Sequence, residues 1–227
     1  MNIQPRPDFT KPNPGIVKAL KLCNLPTTGT AVELGFGLGG NIRYIAEQTQ
    51  GKYPCLCYET DEHWYVQSLE DGWPMQLNVK VIHGDAFDIL TYPGELAIVV
   101  AGMIMYNSKS VIYEFLPKLW HRVLPGGILH LQIATDKDGN LDTDFVQFGC
   151  ERDEKYPNSF VYDSSWGEYD NAGIRGGSFW DPNEINQLCS VCHPHTLVYN
   201  EELNFLQQNA YQSMLRSLQM VTIQKTR

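Results

Sequence analysis

The chain of 227 residues contains no run of about 18 apolar residues, so no helix of it is expected to cross a bilayer. Basic residues are scarce. Lys and Arg total 17 against 26 Asp and Glu, a net charge of −9, and they form no cluster, which argues against a nucleic-acid partner. A small molecule is the better ligand class for such a chain. Prolines stand between Met1 and Pro14 where a secretory signal needs an apolar run, so the expected location is the cytoplasm. Six cysteines are present, but Cys55 and Cys57 lie two apart in a strand-like run and face the same way, which disfavours a bridge between them. A reduced chain is the expectation. Charged residues make up 19% and hydrophobic residues 43%, which excludes a disordered chain; a domain of this size buries about 70–75% of its unfolded surface without help from disulfides or metal.

Short β-branched runs alternate with helical patterns, the sign of a parallel sheet flanked by helices. Strands are predicted at 31–34, 53–59, 79–82, 96–101 and 128–134, with two more at 196–199 and 219–224. The run 96–101 is apolar on both faces, as a central parallel strand should be. Helices are predicted at 16–22, 40–48 and 61–70, and again from Val111 to Val123, where Pro117 is expected to break or kink the helix. Asp181-Pro182-Asn183-Glu184 reads as a capping box that starts another. The whole is expected to be a single domain over 1–227: a doubly wound, seven-stranded, mostly parallel Rossmann-like sheet with helices on both faces. A cap segment, 1–24, precedes it.

Residues 135–180 break the rhythm with nine aromatics and ten acidic side chains, and are expected to be an insertion after the fifth strand that serves as a lid or touches substrate. Cys189-Ser190-Val191-Cys192-His193 has the spacing of a covalent haem attachment site. Without an export signal, and without a second pair of ligands for zinc, neither haem nor metal is expected.

Glu33-Leu34-Gly35-Phe36-Gly37-Leu38-Gly39-Gly40-Asn41 follows the first strand and opens a helix. Glycines there allow a sharp turn and close approach to a ligand. The string also satisfies GxGxxG, a weak pattern shared with dinucleotide enzymes. Glu33 separates the two readings, because a carboxylate beside the turn repels a pyrophosphate and attracts a ligand with an ammonium and a sulfonium.

On these residues the chain resembles the class I S-adenosylmethionine-dependent methyltransferases, from about Thr30 to Ala134 and more weakly beyond. The family's acidic residue and alternate glycines fall on Glu33, Gly35, Gly37 and Gly39, followed by Asn41. Its second acidic residue falls on Glu59, followed by Thr60, and its third signature on Asp85, Ala86 and Phe87. Glu95 and the run Arg122 to Gly127 are also in its style. The resemblance implies S-adenosylmethionine as cofactor, with Glu59 accepting from the ribose hydroxyls, Asp85 from the adenine amino group, and Ala101 at the end of the fourth strand nearby.

Ala101-Gly102-Met103-Ile104-Met105-Tyr106-Asn107 lacks the amide clamp of family members that methylate nucleobases. The expected reaction is therefore methyl transfer to an oxygen or nitrogen of a small molecule or peptide-like metabolite. Asp136 and Tyr106 are the candidates for proton handling. Tyr106, Trp166, Tyr169 and Trp180 are expected to line an aromatic or cationic acceptor. His130, inside the fifth strand, reads as a hydrogen-bonded core residue. An NAD(P)-dependent oxidoreductase and a non-catalytic cofactor-binding module are the alternatives.

Overall fold

The computed structural model describes residues 3–73, 77–139, 150–162, 176–208 and 213–226. Its main sheet has seven strands: β1 (Thr30–Leu34), β2 (Cys55–Glu59), β3 (Val79–His83), β4 (Leu96–Ala101), β5 (Val123–Ala134), β9 (His195–Gln208) and β10 (Ser213–Lys225). The order is β3-β2-β1-β4-β5-β10-β9. The first five are parallel, and β10 runs antiparallel between β5 and β9. This is the expected seven-stranded, mostly parallel sheet. The insertion adds a small antiparallel sheet of β6 (Cys150–Arg152), β7 (Ser159–Tyr162) and β8 (Gly176–Ser178), which the sequence did not announce. Among the described residues no helix is long and apolar enough to cross a membrane.

Strand parity sorts the core into two layers. Val32, Leu34, Val99, Ala101, Leu129 and Leu131 face α4 (Lys109–Arg122) and α5 (Pro182–Ser190). Ala31, Cys55, Cys57, Ile98, Val100 and Ile128 face α1 (Pro14–Leu22) and α2 (Gly40–Gln48). The remaining helix, α3 (Glu62–Glu70), packs on β2 and β3. The α5 capping box forms as expected. Pro117 does not divide α4, which runs unbroken for 14 residues. Pro125-Gly126-Gly127 lies within β5 as an irregularity: β4 pairs at Leu96 with Val123 and at Ile98 with Ile128. Cys189 and Cys192 are buried in the α4 side of the core, and burial pushes the Cys189 thiol up to about 11. His130 is buried with Nδ1 2.8 Å from the Thr222 hydroxyl, the core role expected of it.

A buried cation anchors the insertion. Lys109, 0% exposed at the start of α4, puts Nζ 2.7 Å from both Glu184 carboxylate oxygens and 2.7 Å from the Pro157 carbonyl. It lies 5.2 Å from the centre of the Trp180 ring. Its backbone N–H donates to the Ser159 hydroxyl at 2.8 Å. Lys109→Met leaves Glu184 without its partner and is expected to lower stability by about 3 kcal/mol. Thermal unfolding followed by circular dichroism should then show a midpoint lower by about 6–12 °C.

Candidate functional site

A cavity of 520 Å³ opens where β1, β2 and β4 end and the strand order reverses. This is the place where open parallel sheets bind ligands, and the volume lies within the roughly 300–1,000 Å³ of small-molecule sites. One wall is the turn from β1 into α2. Gly37 there has φ +51°, and a side chain would meet nothing within 4 Å, so backbone conformation rather than space calls for glycine. Its N–H donates to Glu59 Oε2 at 3.0 Å. At Gly40 space decides, since a Cβ would lie 2.6 Å from the Lys11 carbonyl and 2.7 Å from that of Phe9. The chain ahead of α1 thus crosses the turn. Gln4 N–H donates to the Asn204 carbonyl, Phe9 packs edge-on against Phe205 at 6.3 Å, and Arg6 and Phe9 both enter the cavity wall.

Glu33 lies beside that turn but is 3% exposed. Parity turns it toward α2, where Oε1 accepts from Asn41 Nδ2 at 2.8 Å and Oε2 from the Ile42 N–H at 2.9 Å. Burial raises its pKa to about 7, against the lowering effect of those two bonds. Glu33 lines the cavity too, and its Oε2 takes up an N–H at the start of α2, the helix end that a pyrophosphate would need.

Glu59 closes β2 with Oε1 accepting from the Thr60 and Asp61 N–H groups at 3.0 and 3.1 Å. Oε2 holds Gly37, and the residue, 8% exposed, lines the cavity. Asp85, just past β3, accepts from the Phe87 N–H at 3.0 Å and caps the short helix Ala86–Thr91. Thr60, Asp85, Ala86 and Phe87 line the cavity with Gly35, Gly37 and Asn41. Two expected contacts are corrected. Gly39 lies behind the turn, where a side chain would strike Trp73, and Ala101 points into the α4 side of the core. Gly102 lines the cavity instead, its N–H donating to the Leu34 carbonyl at 3.1 Å.

Tyr106, 47% exposed, lies on the cavity rim. Asn107 beside it is buried; Nδ2 donates to the Met103 carbonyl at 2.9 Å, while Oδ1 has no hydrogen-bond partner among the described residues. Two other expectations fail. Asp136 is absent from the described lining, its N–H tied to the Trp180 carbonyl at the base of the insertion. Trp180 is 0% exposed, bonded through Nε1 to the Ser178 hydroxyl and packed on Tyr113, so it belongs to the core. Trp166 and Tyr169 lie outside the described residues. Gln132, Phe205, Gln207, Arg216 and Leu218 line the cavity without having been foreseen. The available signal was Arg216, a charge at the period-two position of an otherwise apolar face with Met214, Leu218 and Met220.

Glu33 has a measurable signature. Its folded-state pKa of about 7 exceeds the ordinary 4.5, so between those values the folded protein holds a proton that the unfolded chain has released. The stability this provides is complete below about pH 4.5 and is lost as pH rises through about 7, a change of about 3 kcal/mol. Glu33→Gln should remove that slope. Urea unfolding at intervals between about pH 5 and 8 checks it, and a wild-type-minus-variant difference constant across the window would refute it.

No protein-family model and no curated protein matches the chain. Solved structures do. A S-adenosylmethionine-dependent methyltransferase of Methanosarcina mazei aligns over 95% of this chain and 99% of its own, with a TM-score of 0.58 at 13% identity. One of Clostridium acetobutylicum aligns over 97% and 93%, with a TM-score of 0.58 at 9% identity. The 1,6-didemethyltoxoflavin-N1-methyltransferase of Burkholderia thailandensis, bound to 1,6-didemethyltoxoflavin and S-adenosylhomocysteine, aligns over 94% and 76%, with a TM-score of 0.55 at 14% identity. The chain has the fold of S-adenosylmethionine-dependent methyltransferases.

Proposed function

We propose that the chain is an S-adenosylmethionine-dependent methyltransferase that acts on an oxygen or nitrogen of a small molecule or peptide-like metabolite. The observation that carries this reading is the set of carboxylates at the ends of three successive strands, Glu33, Glu59 and Asp85, around one cavity whose helix N-terminus Glu33 already occupies. A dinucleotide would need that N-terminus for its pyrophosphate, which weighs against the oxidoreductase reading.

The residues present fit the cofactor. Glu59 Oε2 accepts one protein N–H and keeps room to accept from a ribose hydroxyl. Asp85, which lines the cavity with Phe87, would accept from the adenine amino group. S-Adenosylmethionine held there would supply a methyl group, carried on a cationic sulfur, to a lone pair of the acceptor. What the protein does is hold the acceptor in line, which contributes on the order of 7–11 kcal/mol. Tyr106 and Asn107, which line the cavity, would orient it. Asn107 Nδ2 is held by the Met103 carbonyl, and its Oδ1 would be the atom to accept an O–H or N–H of the acceptor.

Calorimetric titration with S-adenosylmethionine, S-adenosylhomocysteine and NAD tests the reading. Micromolar binding of the first two and none of NAD is expected, and binding of NAD alone sinks it. Glu59→Ala should weaken S-adenosylhomocysteine about 10- to 100-fold, as loss of hydrogen bonds to a charged group does.

A further inference from the structure

The far side of the cavity has a different character from its carboxylate side. Arg216 projects from β10 with its side chain 13% exposed, and lines the cavity. Its Nε donates to both oxygens of Asp138, at 3.1 and 2.9 Å. Asp138 is 0% exposed at the side chain and also accepts from the Ser217 N–H at 2.9 Å, so the anchor is itself fixed. Nη1 donates to Gln207 Oε1 at 2.9 Å. Among the described residues Nη2 has only the Met105 thioether, at 3.9 Å, a weak acceptor. A guanidinium carries five N–H donors. Two are held by oxygen partners among the described residues, and those left are on Nη1 and Nη2, the fork that takes a carboxylate through two parallel bonds. An arginine needed only to neutralise Asp138 would spend its fork on that carboxylate. This one is gripped by its Nε edge.

We propose that Arg216 binds a carboxylate of the methyl acceptor, which makes the substrate class a small carboxylic acid taken as its anion. This deepens the methyltransferase reading and rests on it. The acceptor's apolar body lies against Met105, Phe205 and Leu218, which line the same side, and the atom to be methylated points toward Tyr106 and Asn107. Asp138 already cancels one unit of charge beside the fork, so the remaining field suits a monoanion better than a doubly charged phosphate. Asp138 is a positioning residue for Arg216. The aromatic residues of the insertion had pointed to an aromatic or cationic acceptor; the cavity wall contributed by β9 and β10 points to an anionic one.

The test uses the full chain with tritiated methyl donor and a panel of small hydroxy and amino carboxylic acids, each paired with its primary amide, which keeps the shape and removes the charge. Label is expected in one or more acids, with their amides at least about 10-fold poorer in kcat/KM. Arg216→Lys keeps a cation beside Asp138 but loses the fork. It should raise KM for the labelled acid about 10- to 100-fold with kcat nearly unchanged. Asp138→Asn should shift KM the same way by less, and stands in should the lysine variant fail to fold. In both variants the S-adenosylhomocysteine affinity should stay at the wild-type value. Equal labelling of amides, label in no acid, or an unchanged KM overturns the proposal. So does weakened S-adenosylhomocysteine binding in Arg216→Lys, which would assign the fork to the cofactor's own carboxylate. Failure of the wild-type protein to bind S-adenosylhomocysteine at all would instead overturn the methyltransferase reading.

Discussion

Two hydrogen bonds from one buried carboxylate hold the site together. Glu33 ends the first strand pointing toward α2, and its oxygens take the Asn41 amide and the Ile42 N–H. Through Asn41, whose Oδ1 accepts from the Asn13 N–H at 2.7 Å, the same node reaches the segment that leads into α1. The glycine turn, the start of α2 and the N-terminal chain over the cavity all meet there. Burying a carboxylate is costly, and the cost shows in a pKa near 7. What offsets it is the satisfaction of backbone groups that the start of a helix leaves without partners.

The cavity is built from two kinds of sheet. Its carboxylates come from the ends of parallel strands, where each strand hands the chain to a turn and the side chain at the junction meets the next loop's N–H groups. Glu59 does this twice, for its own turn and for Gly37 across the crevice. The opposite side comes from the long antiparallel pair β9 and β10, where Phe205 and Gln207 near the end of β9 and Arg216 and Leu218 near the start of β10 line the cavity. Charge is thereby separated along one pocket, acids at one end and a guanidinium at the other. A ligand pair with complementary ends would sit in a single orientation.

Two contacts tie the described parts of the insertion to the sheet and helices. Trp180 bridges to Thr135 at its base, and Lys109 joins its strands to α4 and α5 through a buried cation. The aromatic richness that marked the segment in the sequence serves, in its described parts, a packing cluster of Phe160 and Phe179 with Tyr199, Phe205 and Leu218. Aromatic content cannot distinguish a core side chain from a pocket wall, because both demand the same burial of apolar area. Trp180 was misjudged for that reason.

The sequence by itself determined the architecture and the carboxylates that stand at the strand ends around the cavity. Period and punctuation mark the seven strands of the main sheet, and the residues at their ends are local: Glu33 and Glu59 lie in the last two residues of β1 and β2, and Asp85 stands two residues past β3. Their chemistry could be read because the geometry is made within a few residues. Only the tertiary structure decided the rest. Arg216 and Asp138 are 78 residues apart, and Gln132, Gln207 and Asn107 line one cavity only because β10 inserts between β5 and β9. Likewise the N-terminal segment reaches the cavity by pairing at Gln4 with Phe205, a contact for which no local pattern exists. Long-range pairing chooses which faces meet, and a side chain's partner across a sheet follows from that choice rather than from its neighbours in the chain.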